Sequence, residues 1–190
     1  MPNWCETKYV FIGDKKEMKD LYDLMKGLES LPEPLVPNDF GTTWLGCLVT
    51  KLGGDWNEIS CRGKWMDLTL NENDLRFETS TAWGPCDAVM ELICDKFPSL
   101  SYFYQAIEWG NEVFETNDYE GEFFPEIFAL NYDSETYGSG DGFFESEKDL
   151  FEYLTKQFER PINSFEDIET LNQDLEKEDG YCTVFDFEYN

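Results

Sequence analysis

Twenty-seven carboxylates in this chain have no basic residue to pair with: 41 Asp and Glu stand against 14 Lys and Arg, a formal net charge of −27 over 190 residues. An unpaired ionised carboxylate stays in water, because taking it into a low-dielectric interior costs on the order of several kcal/mol. Each element of any fold must therefore divide sharply into a wet acidic side and a dry side. The dry material is present, since 41% of the residues are hydrophobic and 17% aromatic. That composition excludes global disorder.

The division is legible in the residue pattern. Residues 8–12 form a β-rich run closed by Gly13 and read as a strand. Asp14, with Glu17 three places on, has the form of a helix N-cap and capping box. Met18, Leu21, Tyr22, Met25 and Leu28 then recur on one helical face. Pro32, Pro34 and Pro37 end that helix and open an irregular insertion at about 30–57, inside which 43–52 reads as a short helix. Residues 64–70 and 75–83 alternate on either side of a polar turn at 71–74, which predicts a hairpin. A helix over 86–97 follows, stopped by Pro98, and then a strand over 101–109, a turn at Gly110-Asn111 and an extended stretch at 112–116.

Strand, helix, strand, strand, helix, strand is the order of a split β-α-β unit. The expected fold class is α+β. Residues 1–120 should form a ferredoxin-like antiparallel sheet with helices on one face, and 121–190 an acidic C-terminal α/β extension. Within the extension, 122–132 reads as extended, 147–158 as an amphipathic helix, 164–175 as a second helix begun by Ser164 and Asp167, and 182–189 as a last strand.

Several segments of the first 120 residues are also familiar in combination. These are Met1-Pro2-Asn3-Trp4-Cys5, Gly63-Lys64-Trp65, Phe77-Glu78-Thr79 with Thr81-Ala82-Trp83-Gly84-Pro85, then Val89, Glu91-Leu92 and Lys96-Phe97-Pro98. In that order they resemble the YubB-like, MPNWC-type ferredoxin-like family of uncharacterised phage, plasmid and gut-bacterial proteins. The resemblance implies the ferredoxin-like fold and a mobile-element origin. It implies no catalytic residues, and it does not extend to the acidic segment beyond residue 120.

Composition removes whole classes of chemistry. The chain has no histidine, so Ser–His, Cys–His and H-E-x-x-H mechanisms are impossible. Six cysteines are scattered without a C-x-x-C pair and read as reduced, packed thiols; Cys86 sits at a helix start, but neighbouring anions oppose its activation. No window approaches eighteen apolar residues and no basic, apolar leader opens the chain, so a cytoplasmic protein without membrane contact is expected. Residues 133–141 match a calcium-binding loop through its ninth position, but the twelfth is Phe144 and the acid falls one place late at Glu145; a flexible Gly/Ser/Asp loop is the default reading. Lys15, Lys16 and Lys19 make too small a basic cluster for direct nucleic-acid binding. No catalytic residue, metal ligand or cofactor is assigned, and some pair among 41 carboxylates must be close by chance.

The charge is unevenly placed. Residues 1–100 hold 17 acids and 10 bases, net −7, whereas 101–190 hold 24 and 4, net −20. No basic residue falls between Lys96 and Lys148, while twelve carboxylates run from Glu108 to Glu147. Averaged over the whole surface the charge density is about one third of that of duplex DNA, and it approaches DNA only if the C-terminal carboxylates gather on one side. The reading this supports is a non-enzymatic binding protein that offers a basic partner surface, such as that of a nucleic-acid-binding enzyme, a mimic of DNA. Glu108, Glu112, Glu115, Asp118, Glu120, Glu122 and Glu126 are its candidate contacts. A merely solubilising surplus and a carboxylate- or divalent-cation-dependent enzyme are the alternatives.

Overall fold

The computed structural model describes residues 3–190, so the Met1-Pro2 start of the opening motif lies outside the described residues. The chain divides into two compact units, the first ending at Asp118 and the second running Tyr119–Asn190. Among the described residues no helix is long and apolar enough to cross a membrane.

The first unit is organised by strand β1, Trp4–Ile12. Cys5, Tyr9 and Phe11 alternate onto one face and are at most 1% exposed. Helix α1 (Lys15–Glu29) follows at once, and Asp14 caps it as expected, accepting the Lys16 and Glu17 amides. The capping box closes differently from the simple motif. Glu17 turns its carboxylate to the Ser99 amide (3.0 Å) and hydroxyl (2.7 Å), and the Ser99 hydroxyl in turn accepts the Asp14 amide at 3.2 Å. A residue 82 positions away thus relays the reciprocal bond. Gly13 makes the approach possible: with φ +149°, it lets the backbone pass where a Cβ would stand 2.4 Å from the Ser99 carbonyl oxygen.

The insertion contains helix α2, Leu45–Leu52, two residues shorter than the expected 43–52 because Trp44 stays extended at the N-cap. Strands β2 (Gly63–Leu70) and β3 (Leu75–Ala82) make the predicted hairpin. Its turn is sealed by the Asn71 amide donating to the Asp74 carbonyl and by Arg76 donating twice to the Asp74 carboxylate. A bulge between Met66 and Thr69 places Asp67 at φ 53°, a conformation that Asp tolerates better than most residues. Helix α3 (Asp87–Lys96) and strands β4 (Ser101–Glu108) and β5 (Val113–Thr116) complete the unit. Its five strands lie in the order β2-β3-β1-β4-β5, and every pair is antiparallel. Residues from all three helices close one core with Tyr9, Phe11, Trp65 and Phe77. The Trp65 indole also donates to Glu29 at the end of α1, 3.1 Å away, and so fixes that helix against β2.

The second unit is a smaller repetition of the same logic, mixed α/β with a sheet in the order β7-β6-β8. Strand β6 (Phe128–Ser134) lies between β7 (Gly138–Phe144) and β8 (Tyr181–Asp186). Helices α4 (Glu147–Gln157) and α5 (Phe165–Leu175) have Ser146 and Ser164 as N-caps, whose hydroxyls accept the Asp149 and Asp167 amides. Both helices carry two acids in the first turn, where the helix dipole favours them. Leu150, Leu154, Ile168 and Leu171 pack on Phe128, Leu130 and Tyr132 of β6. A two-residue strand, β9 (Glu188–Tyr189), closes the chain.

Replacing Ser99 with Ala removes the relay that caps α1. A loss of about 1 kcal/mol is expected in urea unfolding, with no change in far-UV circular dichroism; an unchanged midpoint would show that the relay adds nothing.

Candidate functional site

The seven candidate carboxylates fall in two groups, with Glu108, Glu112, Glu115 and Asp118 in the first unit and Glu120, Glu122 and Glu126 in the second. Their roles differ, and two of them correct the sequence reading. Glu108 is only 3% exposed. Its carboxylate accepts the amides of Gly110 (2.6 Å) and Asn111 (2.8 Å) and so closes the turn from β4 to β5. A carboxylate held by two backbone donors inside a turn is a structural acceptor and is not presented to a partner. Asp118 is 1% exposed, and its amide donates to the Thr116 hydroxyl at 3.1 Å. Glu112 occupies the exposed end of the same turn at φ 57°. Glu120 and Glu122 are exposed, whereas Glu115 and Glu126 are half-buried.

The second unit is the stronger anion. From Tyr119 to Asn190 it holds 20 acids and 4 basic residues, net −16. Three of those four cations are already in ion pairs: Lys148 with Glu152, and Arg160 and Lys177 with Asp174. These contacts lie at the surface, where water screens them, so they compensate charge without fixing structure. The remaining carboxylates are not confined to one side. Glu147, Glu166 and Glu169 are exposed on α4 and α5, while Asp133 and Asp141 are exposed on the sheet face away from those helices.

Asp133 and Asp141 also belong to the segment that resembled a calcium loop. Residues 133–141 are ordered into the β6–β7 hairpin: Asp133 pairs with Ser139, and Asp141 with Asn131. Ser134, inward-facing, accepts the Thr136 and Tyr137 amides and donates to Glu178 at 2.7 Å. The open loop is thereby corrected to a sealed turn, because strand pairing takes up the backbone that ion binding would need. Among the described residues no cluster of three or more Cys, Asp or Glu is arranged to hold a metal ion.

The thiols are packing groups. All six are free, and five are buried. Burial pushes the Cys86 thiol up to about 12, with Cys61 and Asp87 adding to the effect, and burial alone takes Cys182 to about 12. The thiolate needed for nucleophilic chemistry is thus disfavoured at both.

Two measurements test these assignments. Glu108→Gln should cost about 1–3 kcal/mol in unfolding free energy while Glu112→Gln costs almost nothing, the difference being the two turn amides left with a weaker acceptor. Raised thiol pKa values mean that the unfolded chain loses its thiol protons first, so their contribution to stability is complete below about pH 9 and falls as pH rises towards 12. Melting temperature should drop across that interval, and a double Cys86→Ala, Cys182→Ala variant should drop less steeply. No protein-family model, curated protein or solved structure matches this chain.

Proposed function

We propose that this chain is a non-catalytic, ferredoxin-like binding protein of mobile-element type whose anionic surface occupies the basic groove of a nucleic-acid-binding enzyme in place of DNA. A host defence nuclease, of the restriction or RNA-guided kind, is the partner class with such a groove. The ferredoxin-like part of the reading is supported by the order β2-β3-β1-β4, all antiparallel, with α1 and α3 as the two crossing helices and α2 as an insertion. The resemblance of the T-A-W-G-P and K-F-P segments to the YubB-like family supports the same fold and the mobile-element setting.

One observation carries the binding role: the second unit keeps net −16 in 72 residues with three of its four cations already paired. Such a field attracts basic surfaces over the ~8 Å screening length of physiological salt and accelerates their encounter. Glu112, Glu120 and Glu122 are the exposed members of the candidate set, and Glu115 and Glu126 are half-buried. Each carboxylate would accept from Lys or Arg of the partner, and aromatic neighbours such as Tyr119, stacked on Tyr189 at 5.3 Å, would add apolar contact.

The test is competition. A purified restriction nuclease and a purified RNA-guided nuclease, each with labelled duplex DNA at low salt, should release the DNA as the chain is added, with potency falling about tenfold or more as salt is raised severalfold. Changing Glu112, Glu120 and Glu122 together to Gln should weaken the competition severalfold with the melting temperature unchanged. If DNA stays bound to both enzymes at a large excess of the chain, the surplus charge only solubilises, a role that agrees with carboxylates on both sides of the second unit.

A further inference from the structure

The insertion between α1 and β2 folds back along the outer strand of the first unit and walls an open cavity of about 400 Å³ on the sheet face away from the helices. Its floor is a cross-strand row: Glu6 lies opposite Ser80, and Ser80 opposite Lys64. The Ser80 hydroxyl donates to Glu6 at 2.9 Å and sets the direction of that carboxylate. Trp4, two residues before Glu6 on the same face of β1 and 41% exposed, forms one wall. Asp39 and Phe40 of the insertion form the other. The Trp4 and Phe40 rings stand 6.2 Å apart with their planes at 79°, so together they make an aromatic corner.

The corner is built in advance of any ligand. Asn38 knots the segment beside it, its side-chain oxygen accepting the Phe40 and Gly41 amides at 2.6 and 2.8 Å and its nitrogen donating to the Val36 carbonyl at 2.7 Å. The Trp65 amide donates to the Thr43 carbonyl and Trp44 bridges to Lys64, which ties the segment to β2. Phe40 is backed by the Trp44 ring, parallel within 8°. That indole lies over Gly46, where a Cβ would come within 2.4 Å of its carbons. A wall fixed on three sides loses little freedom when a ligand binds.

Charge selects the ligand. Eight of the 14 cationic residues pair with carboxylates, yet among the described residues neither Glu6 nor Asp39 has an ion-pair partner, although Lys64 lines the same cavity. No described cation sits over the Trp4 or Phe40 ring; the cation–π contact present is Lys26 over Tyr22. Two carboxylates against one ammonium, beside two aromatic faces in a chain of net −27, match a cation and repel a phosphate. A diffuse cation with an apolar shell gains most from ring faces and needs no hydrogen-bond donors around it.

We propose that this cavity binds a methylated ammonium group, with Trp4 and Phe40 as the ring faces and Glu6 and Asp39 as the countercharge. Lys64 is the resident competitor whose withdrawal opens the site. The same head group occurs on small quaternary amines and on trimethylated lysine side chains, so the test separates the two.

Calorimetric titration of the full chain with tetramethylammonium chloride, against sodium chloride at equal ionic strength, should give saturable binding. Trp4→Ala and Phe40→Ala should each weaken it about tenfold. Asp39→Asn should weaken it severalfold, and Lys64→Met should strengthen it, with melting temperatures confirming that each variant is folded. Competition by choline but not by a trimethyllysine peptide assigns the site to small amines, and a preference for that peptide over its unmethylated form assigns it to a protein partner. The proposal falls if tetramethylammonium behaves as sodium does. It also falls if the Trp4 and Asp39 variants bind as the parent does, or if adenosine monophosphate binds instead and Lys64→Met abolishes it.

Discussion

Everything in the first unit depends on β1 being paired on both edges at once. Residues 4–11 pair with β3 and residues 6–12 with β4, both antiparallel, so the strand has no free edge over most of its length. Its inward side chains, Cys5, Thr7, Tyr9 and Phe11, are therefore committed to the helix-covered face, and Glu6 and Lys8 must point the other way. A slip of one residue would exchange these sets and carry carboxylate and ammonium into the core. Tyr9 and Phe11 hold the register with ring contacts to Phe77 of β3 at 5.4 and 5.6 Å, and to Tyr104 and Tyr102 of β4 at 6.0 and 5.6 Å. The cavity floor on the opposite face inherits its geometry from this register, since Glu6, Ser80 and Lys64 share one row.

The acidic surplus is handled in two ways. Some carboxylates and hydroxyls terminate backbone: Asp14 at α1, Ser146 and Ser164 at the later helices, and Glu108 at the β4–β5 turn. These groups satisfy amides that a helix or turn leaves without a partner, and a charged or polar acceptor there is stabilising. The exposed ones stay in water and give the molecule its field. Net charge alone does not tell one kind from the other. Glu108 and Glu112 are four residues apart in one hairpin, yet one is buried on two amides and the other is exposed.

Local patterning made most elements legible. Asp14 and Ser164 started helices because a short side-chain acceptor before an amphipathic run leaves few other choices, and Asn71 to Asp74 marked a hairpin because the runs beside it alternate with period two. The Gly, Ser and Asp residues of 133–141 are turn formers and predict an open loop, whereas the segment forms a hairpin. What pairs it into a hairpin is β6, whose Leu130 and Tyr132 are anchored by helices that arrive later in the chain. The aromatic corner left no signal of its own: Trp4, Asp39 and Phe40 are more than thirty positions apart from end to end and form no spaced motif.

By itself the sequence determined the α+β alternation, the helix starts, the absence of histidine chemistry and the anionic character, because each of these follows from residue type and near-neighbour spacing. Only the tertiary structure decided which carboxylates are consumed by the fold, that β5 extends the first sheet, and that an insertion walls an open cavity beside Glu6 and Trp4. Burial and cross-strand neighbourhood are properties of chain segments brought together from a distance. Long-range pairing creates them, so local composition does not encode them.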